Sequence, residues 1–342
     1  MLSITIGRQK KNCKFTFLFM KGMTDRQTFS PASQLALLLA LTGAGFIFGS
    51  FAVLGVQHVL MPLTQTGAKN HPAALTNVDV TRLLQVVGTL FLFILPAALF
   101  SFLTNRAGAA KYLGFNTVIS TKQLLLVVVM FFASFFVSGA LEIINQNIPL
   151  TKNLATTFKH WEDEYNKQAE MLGTIRSGGE YVLALFMLAL LPAVAEEMLF
   201  RGCLQKVIIG LSRNAFTGIL ITAVLFSLMH GSFYGFLVRV FLGGILGFIY
   251  YYSKNLWLNI TLHFLNNAFV VTEMYAISKK AVSPAADAVA NNIPATTILL
   301  MGVGAMAALQ FLFKLFQQES EVVIAMHAVD DAPTSDHTNN AL

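Results

Sequence analysis

The stretch Tyr181-Val-Leu-Ala-Leu-Phe-Met-Leu-Ala-Leu-Leu-Pro-Ala-Val-Ala-Glu196-Glu197-Met-Leu-Phe-Arg201 decides how this chain is read. A long uncharged run ends in two adjacent carboxylates and, one helical turn later, a guanidinium. Ionisable groups inside a membrane-spanning segment are expensive, so they are seldom accidental. Two later apolar segments each carry a histidine, His230 and His263. Carboxylates and imidazoles that share a bilayer point to buried chemistry.

Outward from that stretch, the composition agrees. The chain has 342 residues, of which 55% are hydrophobic and 12% charged, with a mean hydropathy of +0.64. A soluble domain carries about twice that charge fraction. The fold class is therefore an all-α polytopic membrane protein, because the apolar segments are continuous and do not alternate as barrel strands do. The two cysteines, Cys13 and Cys203, do not suggest a disulfide framework. The net charge of +6 fits basic cytoplasmic loops and calls for no nucleic acid. No cleavable signal peptide is expected, since the run Phe15–Met20 is short and is followed by Lys21 and Arg26.

Eight spans are expected, near Leu35–Val56, Leu83–Phe102, Gln123–Ile144, Tyr181–Ile209, Ala215–His230, Phe233–Tyr252, Trp257–Ala276 and Thr296–Phe316. They divide the chain into a basic N-terminal tail (1–30), N-terminal membrane helices (31–145), an amphipathic extracytoplasmic loop (146–180), a core (181–275), a loop with the last span (276–317) and a disordered tail (318–342). Basic residues fall in the tail and in alternate loops: Arg106, Lys111 and Lys122, then Lys206 and Arg213, then Lys254. Both termini are therefore expected in the cytoplasm, at the plasma membrane if the source is bacterial. Gly45-x-x-x-Gly49 and Gly243-x-x-x-Gly247 fit either close helix approach or ordinary glycine use.

Three clusters carry the chemistry. Glu197 and Arg201 are four apart and share a helix face, in the favourable acid-first order. Glu196, rotated by about 100°, points elsewhere and is the candidate proton acceptor. Phe226-x-x-x-His230 places an imidazole near a span's end. His263-x-x-x-Asn267 puts an imidazole and a carboxamide on one face, able to hold a metal or to donate to an oxyanion, with Asn266 close by. Each cluster also has a plain structural reading: an ion pair, an interfacial histidine, interhelical hydrogen bonds. Together they supply a base, an orienting group and oxyanion or metal partners. Glu142, Arg239 and Glu273 lie near span ends and read as structural. No His-Glu-x-x-His, Gly-x-Ser-x-Gly or phosphate loop occurs.

Glu-Glu-x-x-x-Arg at 196–201, Phe-x-x-x-His at 226–230 and His-x-x-x-Asn at 263–267 resemble, in that order, the three motifs of the CPBP family. These are the CAAX-processing and bacteriocin-processing intramembrane proteases, also called Abi. The likeness covers about Tyr181–Thr272. It implies an intramembrane endopeptidase that cuts near the C-terminus of a membrane-associated polypeptide, lipidated or not. By position, Glu196 and His230 would activate water, His263 and Asn267 would stabilise the oxyanion or hold a metal, and Glu197 and Arg201 would support the site. The family has been described as metalloproteases and as metal-independent glutamate proteases. Zinc held by Glu196, His230, His263 and Asn267 and metal-free acid–base catalysis both remain open. Two other functions stay in view: a non-proteolytic scaffold or immunity protein of the same fold, and a proton-coupled transporter.

The depths pose a geometric question. Glu196 lies about 22 Å from the outer end of its span and His263 about 10 Å from the inner end of its own, while His230 falls near an outer end. Convergence requires the fourth span to continue past Arg201 and the fifth to tilt, and Pro192 is positioned to kink the fourth.

Overall fold

The computed structural model describes residues 29–66, 77–105, 108–116, 118–172, 175–279 and 292–330. Their regular structure is entirely helical. Helix α1 is Pro31–Thr66. Helix α2 runs from Asn77–Thr89 through a π-helical turn at Leu90–Ile94 into Leu95–Thr104. A short α3 is Ala109–Leu113, and α4 is Thr121–Gln146. Then come α5 at Lys152–Leu172, α6 at Gly178–Ser212, α7 at Ala215–Leu228, α8 at Phe236–Ser253, α9 at Leu256–Ser278 and α10 at Ala295–Asp330.

Six of these helices (α1, α2, α4, α6, α8 and α10) are long and apolar enough to cross a membrane. Large apolar side chains such as Phe46, Phe48 and Phe51 on α1 and Phe132, Phe135 and Phe136 on α4 face outward. A soluble protein would have to hide so much apolar surface; in a bilayer it meets acyl chains. The chain is an all-α polytopic membrane protein. The other two expected spans exist as helices with different credentials. Helix α7 is short, and α9 carries Asn259, His263, Asn266, Asn267 and Glu273, which dilute its hydropathy.

Helix ends follow the sequence locally. Ser120 and Gln123 form a reciprocal cap at the start of α4, and the Asn214 and Asn255 side chains cap α7 and α9. Pro96 and Pro192 each follow a widened turn: Pro96 comes after the π-helical Leu90–Ile94 and Pro192 after Leu185–Leu190. Proline lacks a donor and crowds the carbonyl four residues back, and a wider turn relieves that conflict. So Pro192 is accommodated by a π-helical stretch inside the continuous rod Gly178–Ser212.

Both glycine pairs sit at helix crossings. A Cβ on Gly45 would lie 2.2 Å from the Phe91 carbonyl oxygen, and one on Gly49 2.8 Å from Phe91 Cβ. On α8, a Cβ at Gly243 would meet Ala223 Cα at 3.1 Å and one at Gly247 would meet Ile219 Cγ2 at 2.6 Å. Close approach is therefore the reason for these glycines.

Two differences from the expected boundaries stand out. Helix α10 does not end near Phe316 but continues to Asp330. Ser320 is fully buried there and accepts a hydrogen bond from Gln123 Nε2 at 3.1 Å, while Glu319 pairs with Lys122 at 2.9 Å. Residues 318–330 are thus helix, tied to the start of α4 at Glu319 and Ser320, and not a disordered tail; residues 331–342, like residues 1–28 of the basic tail, lie outside the described residues. Second, Lys206 and Lys254 do not act as free loop charges. Their ammonium groups donate to the carbonyls of Tyr112 and Tyr251, at the C-terminal ends of α3 and α8, and lie over the rings of those tyrosines at 4.3 Å each.

Candidate active site

Helix α6 supplies Glu196 and Glu197 at the end of an α-helical stretch and Arg201 in the π-helical stretch Met198–Gln205 that follows. The ion pair expected from their spacing is present: Arg201 Nη1 donates to Glu197 Oε1 at 2.6 Å, with both side chains fully buried. Arg201 Nη2 donates to the Gly243 carbonyl at 3.0 Å, and one turn on Gln205 Nε2 donates to the Gly247 carbonyl at 3.0 Å. The glycines of α8 admit α7 on one flank and present their carbonyls to α6 on the other.

Helix α9 brings His263 to the same carboxylate. Its Nδ1 lies 2.9 Å from Glu197 Oε1. A carboxylate that pairs with a guanidinium accepts from its partners, so Nδ1 is the donor and Nε2 of the neutral imidazole keeps its lone pair. That lone pair faces Glu196: Nε2 to Oε2 is 3.8 Å, with the Glu196 side chain 16% exposed and His263 7%. Glu196 Oε2 is buried and makes no hydrogen bond among the described residues. The separation exceeds a hydrogen bond and suits two acceptors addressing one small donor.

His230 enters from the C-terminal end of α7. Its Nδ1 lies 2.9 Å from the Phe226 carbonyl, which can only accept, so its Nε2 also keeps a lone pair. The chain then reverses through Gly231 at φ 64°, a left-handed conformation that a side chain would strain. Phe226 is the hub that joins the clusters. Its ring lies 4.9 Å from the His230 ring, 5.9 Å from the His263 ring, 5.2 Å from Phe200 and 4.8 Å from the Arg201 guanidinium. His230 in turn lies within electrostatic range of Glu196 and His263. Asn267 is half-buried one turn beyond His263 on α9, and no hydrogen bond joins it to the other site residues among those described.

The depth question has a structural answer. Helix α6 does continue past Arg201, to Ser212, so Glu196 and the far end of α7 lie at similar distances from the α6–α7 turn. Helix α9 starts recessed inside the fold: the Leu256 N–H donates to the Gly114 carbonyl at 2.7 Å, and the α3–α4 connection closes beneath it. A Cβ on Gly202 would touch Leu113, the last residue of α3, at 2.9 Å, so the connection leaves α3 beside Gly202, well short of the end of α6 at Ser212. His263 therefore reaches Glu197 although it is close to its own helix end.

The loop after His230 is held from outside. Ser232 Oγ donates to Glu162 Oε2 of α5 at 2.6 Å, Phe233 stacks on Phe158 at 4.4 Å, and the Asn145 amide donates to the Phe233 carbonyl at 2.9 Å. Arg239 donates to the Ser232 carbonyl and lies 6.0 Å from the Tyr165 ring, which fits its structural reading.

Asn259 escaped the sequence reading. It is fully buried on α9 and donates from Nδ2 to Glu197 Oε2 at 3.2 Å and to the Leu246 carbonyl at 2.6 Å. The signal was present as Asn-x-x-x-His-x-x-x-Asn at 259, 263 and 267, three polar residues on one face of α9.

The metal question turns on donor geometry. Among the described residues no three His, Cys, Asp or Glu side chains are gathered as a metal site. Glu196 Oε2 and His263 Nε2 lie 3.8 Å apart, and the His230 and His263 rings both lie against Phe226. The chemistry below takes no step through a metal.

Comparison with known proteins rests on one segment. No curated protein and no solved structure matches the chain. Residues 178–269 match the family model described as type II CAAX prenyl endopeptidase Rce1-like. The segment holding Glu196, Glu197, Arg201, His230, His263 and Asn267 is therefore similar to the Rce1-like CAAX prenyl endopeptidases, in agreement with the CPBP resemblance carried by its three motifs.

Proposed function

We propose that this chain is a membrane-embedded endopeptidase that hydrolyses a peptide bond near the C-terminus of a membrane-associated, CAAX-like polypeptide. One observation carries the reading: two acceptors, Glu196 Oε2 and His263 Nε2, face each other across 3.8 Å, while Glu197 holds the other nitrogen of the imidazole. A water molecule donating to both is polarised toward hydroxide. Its oxygen attacks the scissile carbonyl carbon, and its proton passes to Glu196. The C–O bond forms as the carbonyl π pair moves onto oxygen. Glu196 then returns that proton to the departing amide nitrogen as the oxyanion pair re-forms the C=O bond and the C–N bond breaks, and the water's second proton passes from the product acid to His263 Nε2, leaving a carboxylate and an amine.

The arrangement refines the role of Glu197. It does more than neutralise Arg201, because it also fixes the His263 tautomer and would stabilise an imidazolium, as a carboxylate does in a catalytic triad. The Asn267 amide would be the donor available to the oxyanion. His230, whose Nδ1 is taken up by the Phe226 carbonyl, would offer Nε2 as a third acceptor. Entry of substrate from the cytoplasm and from lipid, with both chain termini cytoplasmic, belongs to the same proposal.

The test compares the membrane proteome of cells carrying wild-type protein with that of cells carrying Glu196→Gln at equal expression. Defined C-terminal fragments that disappear in the variant support proteolysis. Identical fragments would favour a scaffold role. Zinc analysis of the purified protein addresses the metal: one equivalent of zinc, lost in His263→Ala, would replace the metal-free scheme.

A further inference from the structure

Glu197 serves two partners with one oxygen. Its Oε1 accepts from Arg201 Nη1 at 2.6 Å and from His263 Nδ1 at 2.9 Å. A carboxylate loaded on one oxygen can swivel about its last torsion, which is soft and nearly two-fold. A partial swivel would carry Oε1 out of line with His263, whereas a half-turn only exchanges two equivalent oxygens. Among the described residues the other oxygen, Oε2, has one partner, Asn259 Nδ2 at 3.2 Å. The same Nδ2 is anchored to a third helix through the Leu246 carbonyl at 2.6 Å. Asn259 on α9 thus touches α6 and α8 at once, one turn below His263.

A packing role alone does not account for the amide. Its Oδ1 is buried without a hydrogen-bond partner, a liability that leucine, of similar volume, would not carry. The Leu246 carbonyl belongs to a helical ladder and would keep its backbone partner. What leucine would remove is the donor on Glu197 Oε2.

We propose that Asn259 is a positioning residue: it pins the second oxygen of Glu197, and so holds the His263 proton on Nδ1 and the Nε2 lone pair toward Glu196. It does not touch the reacting atoms. The inference rests on the endopeptidase reading for its kinetic consequence, but its structural content stands apart from cleavage. A carboxylate fixed at both oxygens presents one geometry to the imidazole, and outer partners of this kind typically govern about 10–100-fold of activity.

The test uses the full-length chain in lipid nanodiscs with 15N-labelled histidine. The His263 signals are assigned by their loss in His263→Gln. In wild type they are expected to show a single Nδ1–H tautomer; in Asn259→Leu, a mixture of tautomers. Cleavage of a prenylated CAAX peptide is measured in parallel. Asn259→Leu is expected to lower kcat about 10–100-fold with KM within about twofold, and to be non-additive with Glu197→Gln. Should Asn259→Leu fail to fold, Asn259→Ala gives the same readouts. An unchanged tautomer with kcat within about twofold of wild type overturns the inference while leaving the endopeptidase reading intact. A shifted tautomer in a chain whose wild type cuts no peptide sustains the role of Asn259 and removes the endopeptidase reading.

Discussion

At the scale of single residues the site is a chain of charge compensation. Arg201 and Glu197 lie fully buried together, and removing one partner strands the other's charge. Arg201→Ala is therefore expected to destabilise the protein by about 3–5 kcal/mol, read as a large fall in thermal midpoint in detergent. Glu197→Gln, which keeps the shape, strands the guanidinium and should behave similarly. Glu196→Gln should not, since Glu196 accepts no hydrogen bond through Oε2; its midpoint is expected within about 0.5 kcal/mol of wild type. The spacing of Glu197 and Arg201 made their pairing legible before any coordinates, as it did the separate direction of Glu196. The links from Glu197 to His263 and Asn259 were not legible, because they join residues more than sixty positions apart on different helices. Periodicity reports which residues share a face of one helix and says nothing of which face meets which. Asn259 was missed for a further reason: an asparagine in a membrane helix reads most simply as interhelical glue, and here it is that and more.

At the scale of elements, close crossings decide which substitutions the fold accepts. Gly45 abuts the backbone oxygen of Phe91, whereas Gly43, half a turn away, has nothing within 4 Å of where a Cβ would stand. Gly45→Ala should lower the thermal midpoint, at a cost of about 1–3 kcal/mol, and Gly43→Ala should leave it unchanged or raise it. The same contrast is expected on α8 between Gly247→Ala and Gly244→Ala, since Gly244 also has open space around it. A second prediction concerns α5, whose amphipathic pattern was legible and whose docking was not. Through Glu162 and Phe158 it holds the segment that follows His230. Replacing both with alanine should lower kcat, by up to about 100-fold if the loop shifts by about 1 Å, and a Michaelis analysis on a soluble lipopeptide would read it. The end of α10 was misjudged for a physical reason. Its Gln-Gln-Glu-Ser-Glu stretch looks like a departing tail, but Ser320 is buried against Gln123 and Glu319 reaches Lys122, so polar groups satisfied by another helix carry the rod onward.

At the scale of the whole molecule, bilayer and active site make opposite demands. A spanning helix must be apolar, and a hydrolytic site needs carboxylates, imidazoles and water. The chain separates them: α1, α2, α4 and α10 carry the apolar burden and face outward, while α6 and α9 carry polar groups inward and His230 follows the end of α7; α9 falls below a simple span in hydropathy, and the apolar α7 falls short only in length. The fold class was legible because hydrophobic composition is a sum over residues. The convergence of Glu196, His230, His263 and Asn267 was only a requirement from the sequence; the continuation of α6 and the start of α9 against the Gly114 carbonyl bring Glu196 and His263 to 3.8 Å, and the His230 and His263 rings both lie against Phe226. The most direct measurement of the central claim is the single-turnover rate at which the purified, lipid-reconstituted protein cuts a prenylated CAAX peptide, compared between wild type and Glu196→Gln at matched thermal midpoint. The account predicts that the variant is slower by about 100-fold or more. A folded Glu196→Gln protein that cuts as fast as wild type would contradict it.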